Sequence, residues 1–301
     1  MSDILKTEFA GAIFKNPVVL ASGTCGFGAE FNESFDISLL GGICAKGLTL
    51  LPREGNRGIR AWETASGLLN SVGLENPGVE AFVRNELAWL RTVDVNVIVN
   101  LGGHSVDDYV RGAEALNSAD FDLLELNISC PNVKEGGMNF GVKTEVARKV
   151  VREVRSVCRH PMVVKLSPNA EDVVSVAVAC EDEGADGVSL VNTFLGMAID
   201  IDARKPVFNN VYAGLSGPAI KPVALRMVHQ AAKALSIPVM GIGGITTWKD
   251  ALEFIMAGAS VIQVGTANFI RPSIALDIIK GMETWLGNNG VRRVADIRGI
   301  V

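Results

Sequence analysis

The sequence predicts an α/β chain folded as a (β/α)8 TIM barrel with inserted loops at the C-terminal face of the barrel, and three observations carry that expectation. Short β-branched runs alternate with amphipathic stretches from one end of the chain to the other, which is the rhythm of a parallel sheet with crossover helices. Eight such runs fit within 301 residues, the number and chain length of a closed barrel rather than of an open doubly wound sheet. The chain also spreads 32 Gly against 11 Pro along its length, as many tight strand-to-helix turns require.

The candidate strands cover residues 17–23, 42–49, 95–102, 123–130, 162–167, 187–192, 239–245 and 261–266. Helical periodicity fills residues 107–117, 145–158, 170–183, 222–235, 249–257 and 273–285 between and after them. Ser167 and Pro168 precede the third helix and Gly184 follows it, while Pro272 stands near the start of the last, where its missing N–H costs nothing. Residues 50–80 and 199–218 break the alternation. Both are long for connections and rich in Gly, Pro and Asn, so they read as functional loops or small insertions. With 48% hydrophobic and 20% charged residues the chain is expected to bury one large core as a single domain over 1–301.

A net charge of -5 gives no basic field for a phosphate backbone, so nucleic acid is not an expected partner. No apolar stretch reaches the roughly 18–20 residues that cross a bilayer, and the acidic start lacks a signal-peptide layout, so no membrane partner and a cytoplasmic location are expected. Cys25, Cys44, Cys130, Cys158 and Cys180 are odd in number and scattered, unlike a disulfide framework, and lack the close spacing of a zinc or iron-sulfur site. No metal is therefore expected, and any redox cofactor must be held by other groups.

In such a barrel, polar residues at the C-terminal strand ends face the active site. Here those ends present Ala21 and Ser22, Lys46, Asn100, Asn127 with Cys130, Lys165, Asn192 and Thr193, Gly243 and Gly244, and Gly265 and Thr266. One polar residue where a strand becomes a loop is most simply a turn former. Several amides and two lysines at the same end also suit a flat, electron-accepting heterocycle, whose carbonyls and ring nitrogens they can bond and whose reduced form a lysine can stabilise. The glycines after the last two strands are either ordinary turn residues or a phosphate cradle of exposed backbone N–H groups. Cysteine is usually a small buried hydrophobe. At Cys130, polar neighbours and the barrel mouth fit a reactive thiol at least as well, and the Gly-rich stretch 133–141 after it could close over a bound molecule.

These residues resemble the class 1 dihydroorotate dehydrogenases over nearly the whole chain. The resemblance is carried by Asn70-Ser71-Val72-Gly73-Leu74 with Asn76-Pro77-Gly78, by Leu126-Asn127-Ile128-Ser129-Cys130-Pro131-Asn132, by Gly214-Leu215-Ser216-Gly217-Pro218-Ala219-Ile220-Lys221-Pro222, and by the Gly-Ile-Gly-Gly-Ile core within 238–259. It implies FMN across the barrel mouth, among Ser22, Lys46, Gly47, Asn100, Asn127, Lys165, Val191, Gly217, Gly243, Gly244, Gly265 and Thr266, with the phosphate on the last four. It implies a substrate held by Lys46, Asn70, Ser71, Val72, Gly73, Leu74, Asn127, Asn132, Asn192 and Thr193. Cys130 would take the proton from C5 of dihydroorotate as a hydride passes from C6 to FMN, and class 2 relatives, which use serine there, differ.

Asn132-Val133-Lys134-Glu135-Gly136-Gly137 and the Gly-Leu-Ser-Gly-Pro-Ala segment look like class 1B. That likeness implies a homodimer core within a heterotetramer, whose electrons reach NAD+ through a partner subunit carrying FAD and a 2Fe-2S cluster. The alternatives are a fumarate-dependent class 1A enzyme, the FMN subunit of a dihydropyrimidine dehydrogenase, or a flavin-free phosphate-binding barrel. His104, near the mouth, reads most simply as a solvated loop residue, His160 and His229 as surface or helix-end residues, and Cys25, Cys44, Cys158 and Cys180 as thiols without chemistry.

Overall fold

The structure is a computed structural model that describes residues 3–129 and 143–301. Eight strands form a closed barrel. In chain order they are β1 (Val18–Leu20), β2 (Gly42–Cys44), β3 (Asn96–Leu101), β4 (Leu123–Asn127), β5 (Met162–Lys165), β6 (Gly187–Leu190), β7 (Val239–Ile242) and β8 (Ala259–Val264). Each pairs in parallel with its sequence neighbour, and β8 closes onto β1. All eight predicted strands are present; the first seven are shorter than their apolar runs, and the eighth keeps its length but starts two residues earlier, at Ala259.

Among the described residues, six α-helices of nine or more residues pack around the outside: α1 (Val106–Leu116), α2 (Thr144–Val157), α3 (Val173–Asp182), α4 (Lys221–Ala234), α5 (Trp248–Met256) and α6 (Ile274–Asn288), and a further helical stretch runs over 79–90. Their positions follow from spacing and caps. In α2, Ala147, Val150, Val151 and Val154 form one buried stripe at helical spacing. Ser105 and Asp108 make a reciprocal capping box at the start of α1, as Thr247 and Asp250 do for α5. The start of α3 corrects the expectation. It begins at Val173 and not at residue 170, because Asp172 caps it, its carboxylate accepting from the otherwise orphan N–H groups of Val174 and Ser175. Gly184 follows α3 in the left-handed region, at φ 89°.

The long segments are small insertions with sheet structure of their own. Ala61–Thr64, Gly67–Asn70, Phe194–Met197 and Tyr212–Ser216 form a four-stranded antiparallel sheet over the C-terminal end of the barrel. At the opposite end, a hairpin of Thr7–Phe9 and Ala12–Phe14 closes the floor. Its Phe9 and Phe14 rings meet edge to face at 6.4 Å.

Strand alternation sorts the barrel interior into layers. Val19, Cys44, Ile98, Leu123, Val163, Met240 and Val261 pack on Phe9 and Phe14 as an apolar floor. Two residues further along their strands come Asn100, Glu125, Lys165 and Gln263, all buried, with Ser189 beside them. The intervening Val99, Leu124, Val164 and Ile262 face the helices. Replacing Phe14, fully buried in the plug, with alanine is expected to cost about 3–5 kcal/mol of folding stability. Urea unfolding of Phe14→Ala checks this, and a loss below about 1 kcal/mol contradicts the plug.

Candidate active site

Above the polar layer the strand ends and the antiparallel sheet enclose a cleft. The barrel contributes Ser22, Lys46, Gly47, Asn100, Asn127, Lys165, Val191, Asn192, Thr193, Gly243, Gly244, Gly265 and Thr266, and the insertions contribute Asn70, Ser71, Val72, Gly73, Leu74 and Gly217. Of the residues singled out from sequence, Cys130 and Asn132 lie outside the described residues, as does the stretch 133–141. All the others line this one cleft. Leu68, Gly214 and Ser216, on the capping sheet, line it too and were not singled out.

Glycine is required where the cleft walls are tightest. A Cβ on Gly47 would fall 2.8 Å from Asn100 Oδ1. Gly243 and Gly244 have φ of 134° and 70°, and a Cβ on Gly244 would sit 2.8 Å from Lys221 Cβ. The turn after β7 can therefore present backbone N–H groups to an anion, beside the second turn at Gly265 and Thr266. Thr266 Oγ1 donates to Ser216 Oγ at 2.8 Å, which ties the capping sheet to the end of β8.

Asp250 holds the next turn. Its Oδ2 accepts from the N–H and hydroxyl groups of both Thr246 and Thr247, and its Oδ1 from Lys221 Nζ at 2.6 Å. Burial pushes this carboxyl up, but the Lys221 ammonium and the threonine donors outweigh burial and hold it at about 2.

The base of the cleft is ionic. Glu125 is fully buried and receives Asn100 Nδ2 at 2.6 Å, Ser189 Oγ at 2.8 Å, Gln263 Nε2 at 2.9 Å and Cys44 Sγ at 3.3 Å. Lys165 Nζ lies 3.4 Å away. Burial pushes the Glu125 carboxyl up, yet the Lys165 ammonium and these donors bring it below its usual value, so it is a carboxylate. Burial and then the Glu125 charge push the Cys44 thiol well above its ordinary value, which keeps it a donor. Removing one partner of such a buried pair costs about 3–5 kcal/mol by leaving a charge uncompensated. Glu125, Ser189 and Gln263 were missed from sequence. The available signal was an acid standing alone among leucines in Leu123-Leu124-Glu125-Leu126.

A chain of side chains rises from Glu125 into the cleft. Asn127 Nδ2 donates to Asn100 Oδ1 at 3.3 Å, Ser129 Oγ to Asn127 Oδ1 at 2.7 Å, and Asn192 Nδ2 to Ser129 Oγ at 2.6 Å. Tyr109 anchors the same stretch by donating to the Asn127 carbonyl at 2.8 Å. The discounted residues lie elsewhere: His160 stacks on Phe121 with centroids 3.8 Å apart, and His104 Nδ1 is 3.5 Å from Arg53 Nη1. Cys25 is buried, which raises its thiol to about 12. Among the described residues no cluster of His, Cys, Asp and Glu could hold a metal, and no helix is long and apolar enough to cross a membrane. A depression at the opposite end of the barrel is lined by Lys15, Arg91, Asp94 and Asp122, whose charges are spent on one another.

A family profile described as dihydroorotate dehydrogenase matches residues 4–286. The chain belongs to the dihydroorotate dehydrogenase family. Within it, the chain is 55% identical, over 98% of its length and 99% of the relative's, to a protein of Petrotoga mobilis named dihydroorotate dehydrogenase B (NAD(+)), catalytic subunit. A protein of the same name from Thermoanaerobacter pseudethanolicus is 50% identical over 98% of both chains. Another, from Bacteroides thetaiotaomicron, is 51% identical over 95% of this chain and 94% of its own.

Because the Asp250 carboxyl lies below its unfolded value near 4, its stabilisation is full above about pH 4 and fades as pH falls toward 2. Asp250→Asn is expected to cost about 1–2 kcal/mol at pH 7 and to flatten the acid side of the stability curve. Urea unfolding at pH 7 and pH 3 checks both, and an unchanged pH dependence contradicts the role.

Proposed function

We propose that this chain is the FMN-carrying catalytic subunit of an NAD+-linked dihydroorotate dehydrogenase, oxidising (S)-dihydroorotate to orotate in pyrimidine biosynthesis. The observation that carries the reading is a single cleft lined by two lysines, a ring of asparagines and paired glycine turns, in a chain 55% identical to a relative of that name.

The residues present suit FMN. Left-handed glycine turns after β7 and an open turn after β8 offer backbone donors for its phosphate, and Lys46 and Lys165 offer side-chain donors for its ring, with Asn100 lining the cleft beside them. When bound, FMN supplies the two-electron acceptor that no side chain provides.

The chain's own residues do the rest. Lys46 and the Asn70 to Leu74 edge meet the carboxylate of an acidic dihydropyrimidine, and Asn127, Asn132 and Asn192 its ring carbonyls and N–H groups. The same donors stabilise the negative charge that grows on the ring as C5 loses its proton. Cys130, next to Ser129 in sequence, accepts that proton as a thiolate. The capping sheet keeps water from the reacting atoms.

Electrons then leave through a partner subunit bearing FAD and a 2Fe-2S cluster, to which the words "catalytic subunit" in the relatives' names point. The exposed Leu195, Met197, Ile199, Ile201 and Tyr212 on the insertions provide apolar surface for assembly into a homodimer core and heterotetramer. A cytoplasmic location suits this pathway.

Anaerobic mixing of the FMN-loaded chain with dihydroorotate is expected to bleach the flavin, with neither NAD+ nor fumarate alone restoring it. Recovery by fumarate would move the reading to the fumarate-dependent class, and an unbleached flavin would refute it. Cys130→Ser is expected to slow bleaching at neutral pH by roughly 10²–10⁴-fold while FMN stays bound, and undiminished bleaching would remove Cys130 from the mechanism.

A further inference from the structure

We infer that Glu125, which lines no part of the cleft, is the positioning residue that sets which way the amides of the cleft face and how much positive charge Lys165 offers there. The inference rests on the FMN reading above.

Ionised, Glu125 only accepts hydrogen bonds. Asn100 must therefore turn its NH2 toward Glu125 Oε2, 2.6 Å away, and its carbonyl toward Asn127. Asn127 must answer with its NH2, at 3.3 Å, which leaves its own carbonyl for the Ser129 hydroxyl at 2.7 Å. Asn192 joins through its NH2 at Ser129, and its carbonyl is held by the Thr193 N–H at 2.8 Å. Each amide could sterically be turned over, exchanging a donor for an acceptor toward a bound ring. The charge at the bottom of the chain selects one of the two arrangements. That order ends at Ser129, the residue before Cys130.

Gln263 shows independently that this charge dominates its surroundings. Its NH2 faces Glu125 at 2.9 Å while its Oε1 is buried without a partner among the described residues. The amide gives up one bond to serve the carboxylate. The same carboxylate lies 3.4 Å from the Lys165 ammonium, itself only 5% exposed and on the cleft wall, so it offsets part of the positive field above it.

Two variants test the role. Glu125→Gln keeps the shape and removes the charge, facing five donors with an amide that can satisfy only some of them. Glu125→Asp keeps the charge and withdraws it by one methylene. In the FMN-loaded protein, Glu125→Gln is expected to weaken orotate binding at least tenfold. It is also expected to raise the flavin midpoint potential, with at least a tenfold gain in the preference for reduced over oxidised FMN, about 30 mV for a two-electron couple. Glu125→Asp is expected to stay closer to the parent in both. A Gln variant that matches the parent, or lies closer to it than Asp does, overturns the inference. Loss of the fold in both variants, seen by circular dichroism, also overturns it, since the carboxylate would then serve the barrel and not the site. Failure of the FMN reading is separate and shows in the parent, as a chain that takes up no FMN or binds no orotate.

Discussion

One buried carboxylate constrains the rest of this molecule. Closing eight parallel strands brings the inward residues of opposite strands within bonding distance at the axis, where water is absent and an unpaired charge is costly. Glu125 sits there, and its partners come from five other strands or strand ends. The apolar floor on Phe9 and Phe14 excludes water from below. Every donor directed at the axis is then committed to one acceptor, and the groups left over point upward into the cleft.

The cleft inherits its character from that layer and from the two glycine turns. Charge is concentrated at the base and on one wall, through Lys165 and Lys46, while the walls carry amides that can match a planar ring at its edges. The turns after β7 and β8 stand beside each other at the far side, one stiffened by Asp250 and the other tied to the capping sheet through Thr266 and Ser216. A stacked pair of flat molecules, one ending in a phosphate and one in a carboxylate, suits this distribution of donors. Family membership and this distribution of donors both support the proposed chemistry.

The barrel was legible in the sequence because its signals are local. β-branched runs bounded by glycine identify the eight strands, and stripes such as Ala147, Val150, Val151 and Val154 identify the helices. The strand-end residues could be named because a barrel places them together whatever the details. The antiparallel sheet was not legible, since Ala61–Thr64 is exposed at every position and Gly67–Asn70 is only half-buried, so neither shows the alternation that marks a strand. Asp172, the cap of α3, was not singled out, since it lies inside the span read as helical from residue 170. Glu125 was missed for a deeper reason: its meaning lies in Cys44, Lys165 and Gln263, up to 138 residues away, and nothing adjacent in sequence announces them.

Because the account turns on where protons sit, neutron diffraction from crystals of the FMN-loaded chain tests it most directly. The predicted result is an unprotonated Glu125, an Asn100 NH2 facing it, an Asn127 NH2 facing Asn100, and three protons on Lys165 Nζ. A proton on the Glu125 carboxyl, or either amide turned the other way, would contradict the account.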